Sequence, residues 1–460
     1  MKTLAKSLLL TVAVAGSAIA LASGGPAPVT RSVVVDSLDL APVWAGHPVG
    51  FALLTRAPFQ FAAFYDDQRR LIVAQRRLDE RKWTFAKLPV TTGWDSHNYV
   101  ALAVDDAGFL HLSGDMHVAP LKYFRTAKPL NVSTFERLEK MVGTNEQRTT
   151  YPRFFLGSKN ELLFTYRDGG SGNGNQIFDA YELKTKTWRR LLDQPLTDGE
   201  GRRNAYFDGP VRGPDGWFYL AWVWRESPDA SSNHHLSFAR SRDLIRWEAG
   251  DGRPLPLPIT LKTSDIVDPI PEKGGIINNN TKIGFDNLGR VTISYHKYDG
   301  AGNTQPWTAR LENGKWKLYQ IADWPCRWDF GGFGTLNFGI SLGPVQFQND
   351  GRLTQTFNHF KFGAGTWLLD PKTLHALGVI DFQTTPPELA GLEGTFSGLK
   401  VRWAEDSGDS GGADLRYVLR WETLDANRDQ PRQGPLPPSS MLRLYEIKSV
   451  SESNSKVLKQ

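Results

Sequence analysis

The stretch HNYVALAVDDAGFLHLSGDMH, His97 to His117, reads as two short apolar strands around an Asp-Asp-Ala-Gly turn, with polar groups at both ends. Aliphatic and aromatic residues suit a half-buried pleated surface, and Asp and Gly supply the tight reversal. The pattern returns in TYPRFFLGSKNELLFTYRDGG (Thr150 to Gly170), NAYFDGPVRGPDGWFYLAWVWRE (Asn204 to Glu226) and NTKIGFDNLGRVTISYHK (Asn280 to Lys297). A hairpin brings the chain back to the end it left. His97, Tyr151, Tyr206 and Lys282, before the first strands, are therefore predicted to share a rim with His117, Arg167, Arg225 and His296, after the second. A propeller gathers one functional face from separate blades in this way.

Turn signals flanked by apolar strands recur at Asp66-Asp67, Asp106-Ala107-Gly108, Lys159-Asn160, Asp215-Gly216, Asn287-Leu288-Gly289, Asp350-Gly351 and Ala413-Asp414. Seven such turns predict an all-β chain folded as a seven-bladed β-propeller, with roughly sixty residues per blade. Several units close on a tryptophan: Trp83, Trp188, Trp247 and Trp316. The alternative is a β-helix or a pair of sandwiches; regular hairpins with strand-ending tryptophans argue against a β-helix, whose repeats are shorter. The 15 Trp, 25 Phe and 13 Tyr point to strands, and the 44 Gly and 28 Pro to frequent turns. One short helix is expected over Ser133–Lys140.

Lys2 and Lys6, an apolar run from Leu8 to Ala15 and small residues around Ala18–Ala22 predict a secretory signal peptide over residues 1–22. Its apolar run is too short for a membrane span. Residues 23–460 are expected to form a single propeller domain, exported to the periplasm or medium and monomeric. Within it, the Pro-rich residues 23–50 either lead into the first blade or supply a strand closing the ring. Asp425–Pro438 is a loop by composition, Leu442–Ile447 a last strand, and 449–460 a polar tail.

The formal charge of +5 is compatible with an anionic substrate, but no basic block indicates nucleic acid and no later segment a membrane. A lone cysteine, Cys326, excludes an intrachain disulfide and a cysteine-rich zinc site. No HExxH string or EF-hand loop occurs.

The strings DSHNYVALAVDDAGFLHLSGDMH, YRDGGSGNGNQ and NHHLSFARSRDLIRWE, with LRYVLRWETLDANRDQPRQGPLPPSSMLRLYEI near the end, resemble the BNR-repeat family, whose characterised members include propeller ulvan lyases. The resemblance runs from about Gly46 to Ile447 and implies a polysaccharide lyase acting on uronate polymers. It also implies that His97, His117, Tyr151 and Arg167 match a lyase active site, and it allows a structural metal whose ligands the sequence does not identify.

Lyase chemistry needs a cation for the substrate carboxylate, a base, and a proton for the departing oxygen. Arg167 is expected to hold the carboxylate bidentately, unless it merely bridges to Asp168. His97 and Tyr151 are the proton-transfer residues, with base and acid unassigned between them. Asn98, His117 and Tyr206 are assigned to substrate contact. Asn173 and Asn175 join them on a glycine-rich loop that lets backbone approach a ligand. Strand alternation puts His234 and His235 on opposite faces, so that both cannot serve one site, and the resemblance favours His234. Lys282 and His296 would hold a sulfate or second carboxylate. No cofactor is required. A rhamnosidase-like hydrolase and a non-catalytic carbohydrate-binding propeller are the alternatives.

Overall fold

The computed structural model describes residues 30–380, 385–409, 411, 412 and 414–451. The expected signal peptide, residues 23–29 of the lead-in, Ala413 of the last turn and residues 452–460 of the tail lie outside the described residues.

Within them, seven antiparallel sheets stand in a ring, so the chain is a seven-bladed β-propeller. The innermost strands are Ala52–Arg56, Val100–Val104, Thr149–Leu156, Asn204–Arg212, Lys282–Phe285, Ile340–Phe347 and Leu399–Glu405. Blades are numbered one to seven in that order. The last blade is completed by Leu415–Leu424, Ser440–Ser451 and, outermost, the N-terminal strand Thr30–Val43. Val33 faces Lys448 and Leu38 faces Leu444 in this antiparallel pairing. Of the two roles open to the lead-in, ring closure is the one observed.

Burial on both faces of a strand explains the long apolar runs. In blade four, every residue of Phe218–Arg225 is buried. Leu220, Trp222 and Trp224 pack with Leu163 and Phe178 of blade three, while Tyr219, Ala221 and Val223 pack with Ile283, Ile293 and Tyr295 of blade five. Alternate side chains thus glue one strand to two neighbours, and each blade interface becomes a separate core.

Two local expectations need correction. Asp66-Asp67 joins the second and third strands of blade one, not its first and second, which meet at Ala57-Pro58. Ser133–Lys140 is not a helix. A single 3₁₀ turn at Val132–Thr134, capped by Asn131, leads into the strand Phe135–Leu138. That strand pairs with Tyr123–Thr126, and Phe135 packs into the core shared by blades one and two. Ladder bonds and that contact outweigh a weak local helix preference.

Candidate active site

One cleft of about 640 Å³ opens on the rim where first strands begin and second strands end. Its size is that of a small-ligand site. His97, His117, Tyr151, Tyr206 and Arg225 all line it.

Asp95 organises the two histidines. It caps the 3₁₀ turn Ser96–Asn98, accepting from His97 N at 2.8 Å. The same Oδ1 lies 2.6 Å from His97 Nδ1, and Oδ2 lies 2.6 Å from His117 Nδ1. Burial would raise this carboxyl, but its bonds to His117 and His97 outweigh burial and hold it well below the usual range. An ionised carboxylate only accepts, so both imidazoles carry their proton on Nδ1. The two rings stack with centroids 4.0 Å apart. With the imidazole neutral, His97 Nε2 is then an acceptor, and the Tyr151 hydroxyl donates to it at 3.1 Å.

Tyr151 reaches that place through a backbone irregularity. The pairing of Thr149–Leu156 with its neighbour slips between Thr150 and Arg153, and Tyr151 sits at φ 60°, in the left-handed region. A bulky residue there is strained, and such strain persists only where the surroundings impose it. Here Thr150 is anchored, its Oγ1 accepting from Val118 N at 2.8 Å and from Arg167 Nη2 at 3.0 Å.

Arg167 does not face the cleft. It is 1% exposed, and besides Thr150 its donors go to Gly169 O and the Tyr206 hydroxyl, each at 3.2 Å. Nor does it bridge to Asp168, which instead accepts from Asn145. Its guanidinium lies 5.0 Å from the Tyr151 ring centroid and 5.7 Å from that of Tyr206. Direct bidentate capture of a carboxylate is therefore corrected to support of two phenols from behind. Arg225 is the arginine of blade four that reaches the cleft wall, bonded to Ser227 O at 3.0 Å and Asn278 Oδ1 at 3.3 Å.

The two phenols differ. Burial and the proximity of Tyr206 push the Tyr151 hydroxyl up. Burial would raise Tyr206 as well, but Arg167 and Arg225 outweigh it and the net shift is downward. Tyr206 also meets Ser171 Oγ at 2.7 Å. Of this pair, Tyr206 ionises first.

The remaining sequence-selected residues lie off the cleft. Asn98 is buried and donates to Thr92 Oγ1 at 3.2 Å. The glycine-rich run is a tight hairpin rather than a ligand loop: Gly170 faces Asn173, and Asn175 accepts from Gly199 N at 3.0 Å. Its glycines serve packing. A Cβ on Gly172, at φ 71°, would stand 2.8 Å from Ser227 Cα, and one on Gly174 would stand 2.9 Å from Arg167 Cδ. Ser171, between Gly170 and Gly172, is the residue of this run that reaches the cleft. His234 bonds Glu226 at 2.8 Å, and its Nδ1 lies 2.6 Å from that of His235. Alternation fails there because His235 adopts φ 45°. Lys282 approaches Asp208 at 3.9 Å. His296 is buried beside Trp328 and Phe330 and does not line the cleft.

Asp95, His97 and His117 are the one group of three or more possible metal ligands among the described residues. Ligand atoms around one tetrahedral ion stand roughly 3.3 Å apart at ordinary bond lengths, whereas these nitrogens and oxygens meet at 2.6 Å. The spacing is that of hydrogen bonds.

Two segments the motifs did not reveal wall the cleft from the far side of the ring. Thr335 and Phe338 come from the connection between blades five and six, and Asp429 from the loop within blade seven. They clamp each other: Asp429 accepts from Thr335 N at 2.7 Å, and Asn337 exchanges two 3.0 Å bonds with Ala426 backbone. Asp429 Oδ2 stands 3.9 Å from His97 Nδ1. Asp425–Pro438 was legible as a loop, but nothing local says where a loop folds.

Fold and cleft define a propeller whose polar face is assembled from several blades. A model of BNR repeat-containing proteins matches residues 59–324, and the chain belongs to that family. The short isoform of ulvan lyase from Alteromonas sp. (strain LOR) is 36% identical over 62 residues, which is 14% of this chain and 12% of the relative. The long isoform from Pseudoalteromonas sp. (strain PLSV) is 32% identical over 78 residues, 15% of this chain and 8% of the relative. The chain thus aligns with about an eighth or less of the length of these curated relatives. The fold is shared far more widely. The crystal structure of polysaccharide lyase Uly1 superposes with a TM-score of 0.60 at 14% identity, covering 92% of this chain and 99% of the other. An ulvan lyase bound to -[GlcA(1-4)Rha3S]- gives 0.57 at 12% identity, covering 92% and 98%.

Proposed function

We propose that this protein is an exported polysaccharide lyase that cleaves beside a uronic acid by β-elimination, on ulvan-like rhamnose–uronate polymers. The observation that carries the reading is the hydrogen-bonded run Asp95–His97–Tyr151 opening into one cleft with Arg225. Export rests on the signal-peptide character of residues 1–22.

In the proposed reaction the uronate C5–H proton passes to a base and the freed pair forms the C4=C5 double bond. The C4–O bond breaks, and its oxygen leaves with a proton. His97 Nε2, whose Nδ1–H is held by Asp95, is the acceptor. Tyr151, kept protonated by burial, is the donor, and its bond to His97 lets the proton return. Arg225 meets the substrate carboxylate, so that the C5 proton becomes acidic, and His117 stacks on His97 and fixes its ring. Arg167 keeps Tyr206 and Tyr151 in place. The chemistry assigned to these residues requires no cofactor.

A hydrolase of the usual kind needs two carboxyl groups flanking the bond. Asp95 is committed to three donors and Asp429 is tied to Thr335 N, which favours elimination. Incubation with a panel of uronate polysaccharides tests the reading. A lyase produces the ultraviolet band of an unsaturated uronate. New reducing ends without that band mean hydrolysis, and binding without products means a lectin.

A further inference from the structure

We propose that the turn His359–Phe362 of blade six is a second carbohydrate-binding surface, an aromatic platform that holds sugars of the polymer outside the cleft; the proposal rests on the polysaccharide reading above.

The turn joins Leu353–His359 to Gly363–Leu369 on the rim that carries the cleft. His359 is buried, and its Nδ1 accepts the N–H groups of Lys361 at 3.0 Å and Phe362 at 3.2 Å. The imidazole thereby fixes the turn from inside. Phe360 and Phe362 both lie against it, with centroids at 4.7 and 4.6 Å and interplanar angles of 18° and 35°. Yet they remain 58% and 43% exposed. Two phenyl rings held in place by a buried side chain and left open to solvent are unusual, because exposed aromatic clusters mark contact sites. Rings ordered in advance bind with little further loss of side-chain freedom.

The platform continues the cleft. Phe360 N donates to Gly339 O at 2.7 Å, and the preceding residue, Phe338, lines the cleft and is 36% exposed. A chain leaving the cleft past Phe338 meets Phe360 next. The C–H face of a pyranose packs on an aromatic ring, and the exposed Lys361 between the two phenyls complements a uronate or sulfate on the same polymer.

The test compares wild type with the Phe360→Ala/Phe362→Ala double variant, which keeps His359 and every residue lining the cleft. Retardation in gels containing ulvan measures binding without turnover, and ultraviolet kinetics on ulvan and on the shortest cleaved oligosaccharide measure KM and kcat. Polymer affinity should fall roughly tenfold, as expected for losing stacked contacts, with unchanged thermal unfolding and unchanged kinetics on the short substrate. Equal polymer affinity, an equal loss on short and long substrates, or no wild-type retardation by any uronate polymer overturns the platform. A wild-type dimer that the double variant dissociates in light scattering also overturns it, assigning the surface to a second copy. Retardation without the unsaturated product would sink the lyase reading and leave the platform standing.

Discussion

At the scale of the residue, Asp95 sets the chemistry of both imidazoles. Its two oxygens can hold two Nδ1–H groups only because a carboxylate has no proton to give. In Asp95→Asn, one amide oxygen still accepts, but the NH₂ must donate, which forces one histidine to carry its proton on Nε2. Nitrogen-15 spectra of labelled histidine should show one imidazole switching tautomer, with turnover down roughly a hundredfold or more. Two unchanged tautomers would contradict the geometry. Tyr206 gives a second prediction. With Arg167 and Arg225 outweighing its burial, it should be a phenol that ionises below 10. Ultraviolet titration should show such a step, missing in Tyr206→Phe; its persistence there would refute the assignment. Sequence reached His97, His117, Tyr151 and Tyr206 because hairpin ends fix position. It misjudged Arg167 because charge and rim position say nothing of depth. Between Arg167 and the cleft stand two aromatic rings contributed by different blades.

At the scale of the element, departures from regular strands decide where side chains point. Tyr151 in a slipped register and His235 at positive φ both break the two-residue alternation on which the sequence reading relied. The glycine-rich hairpin was misread for a related reason: its glycines admit Ser227 and Arg167 rather than a ligand, and close approach looks the same in sequence whichever partner approaches. The two loops that wall the cleft are held by Asn337. Removing its two bonds in Asn337→Ala costs about 1–3 kcal/mol of loop docking. KM should rise and trypsin should cut faster after the exposed Arg428, while kcat changes little. Unaltered KM and proteolysis would mean that the loops are not a wall for substrate.

At the scale of the whole molecule, the seven-bladed reading succeeded because hairpins are local, and ring closure by Thr30–Val43 was left open because that partner lies at the other end of the chain. The ring also buries a pH liability. Burial lowers His296 to about 4, from 6.5. The unfolded chain therefore takes up this proton first: stability is full above about pH 6.5 and is lost as pH falls towards 4, by on the order of 3 kcal/mol at most. His296→Phe should flatten that part of the stability curve in denaturant titrations, and an unchanged slope would show that the imidazole is not held neutral by burial. The central claim, that distant hairpins assemble an imidazole and a phenol into one elimination site, is tested most directly by ultraviolet absorbance of unsaturated uronate released from ulvan by wild type, His97→Ala and Tyr151→Phe at equal, folded concentrations. Release by wild type alone, with both variants at least about a hundredfold slower, is the predicted result; comparable release by either variant would contradict it.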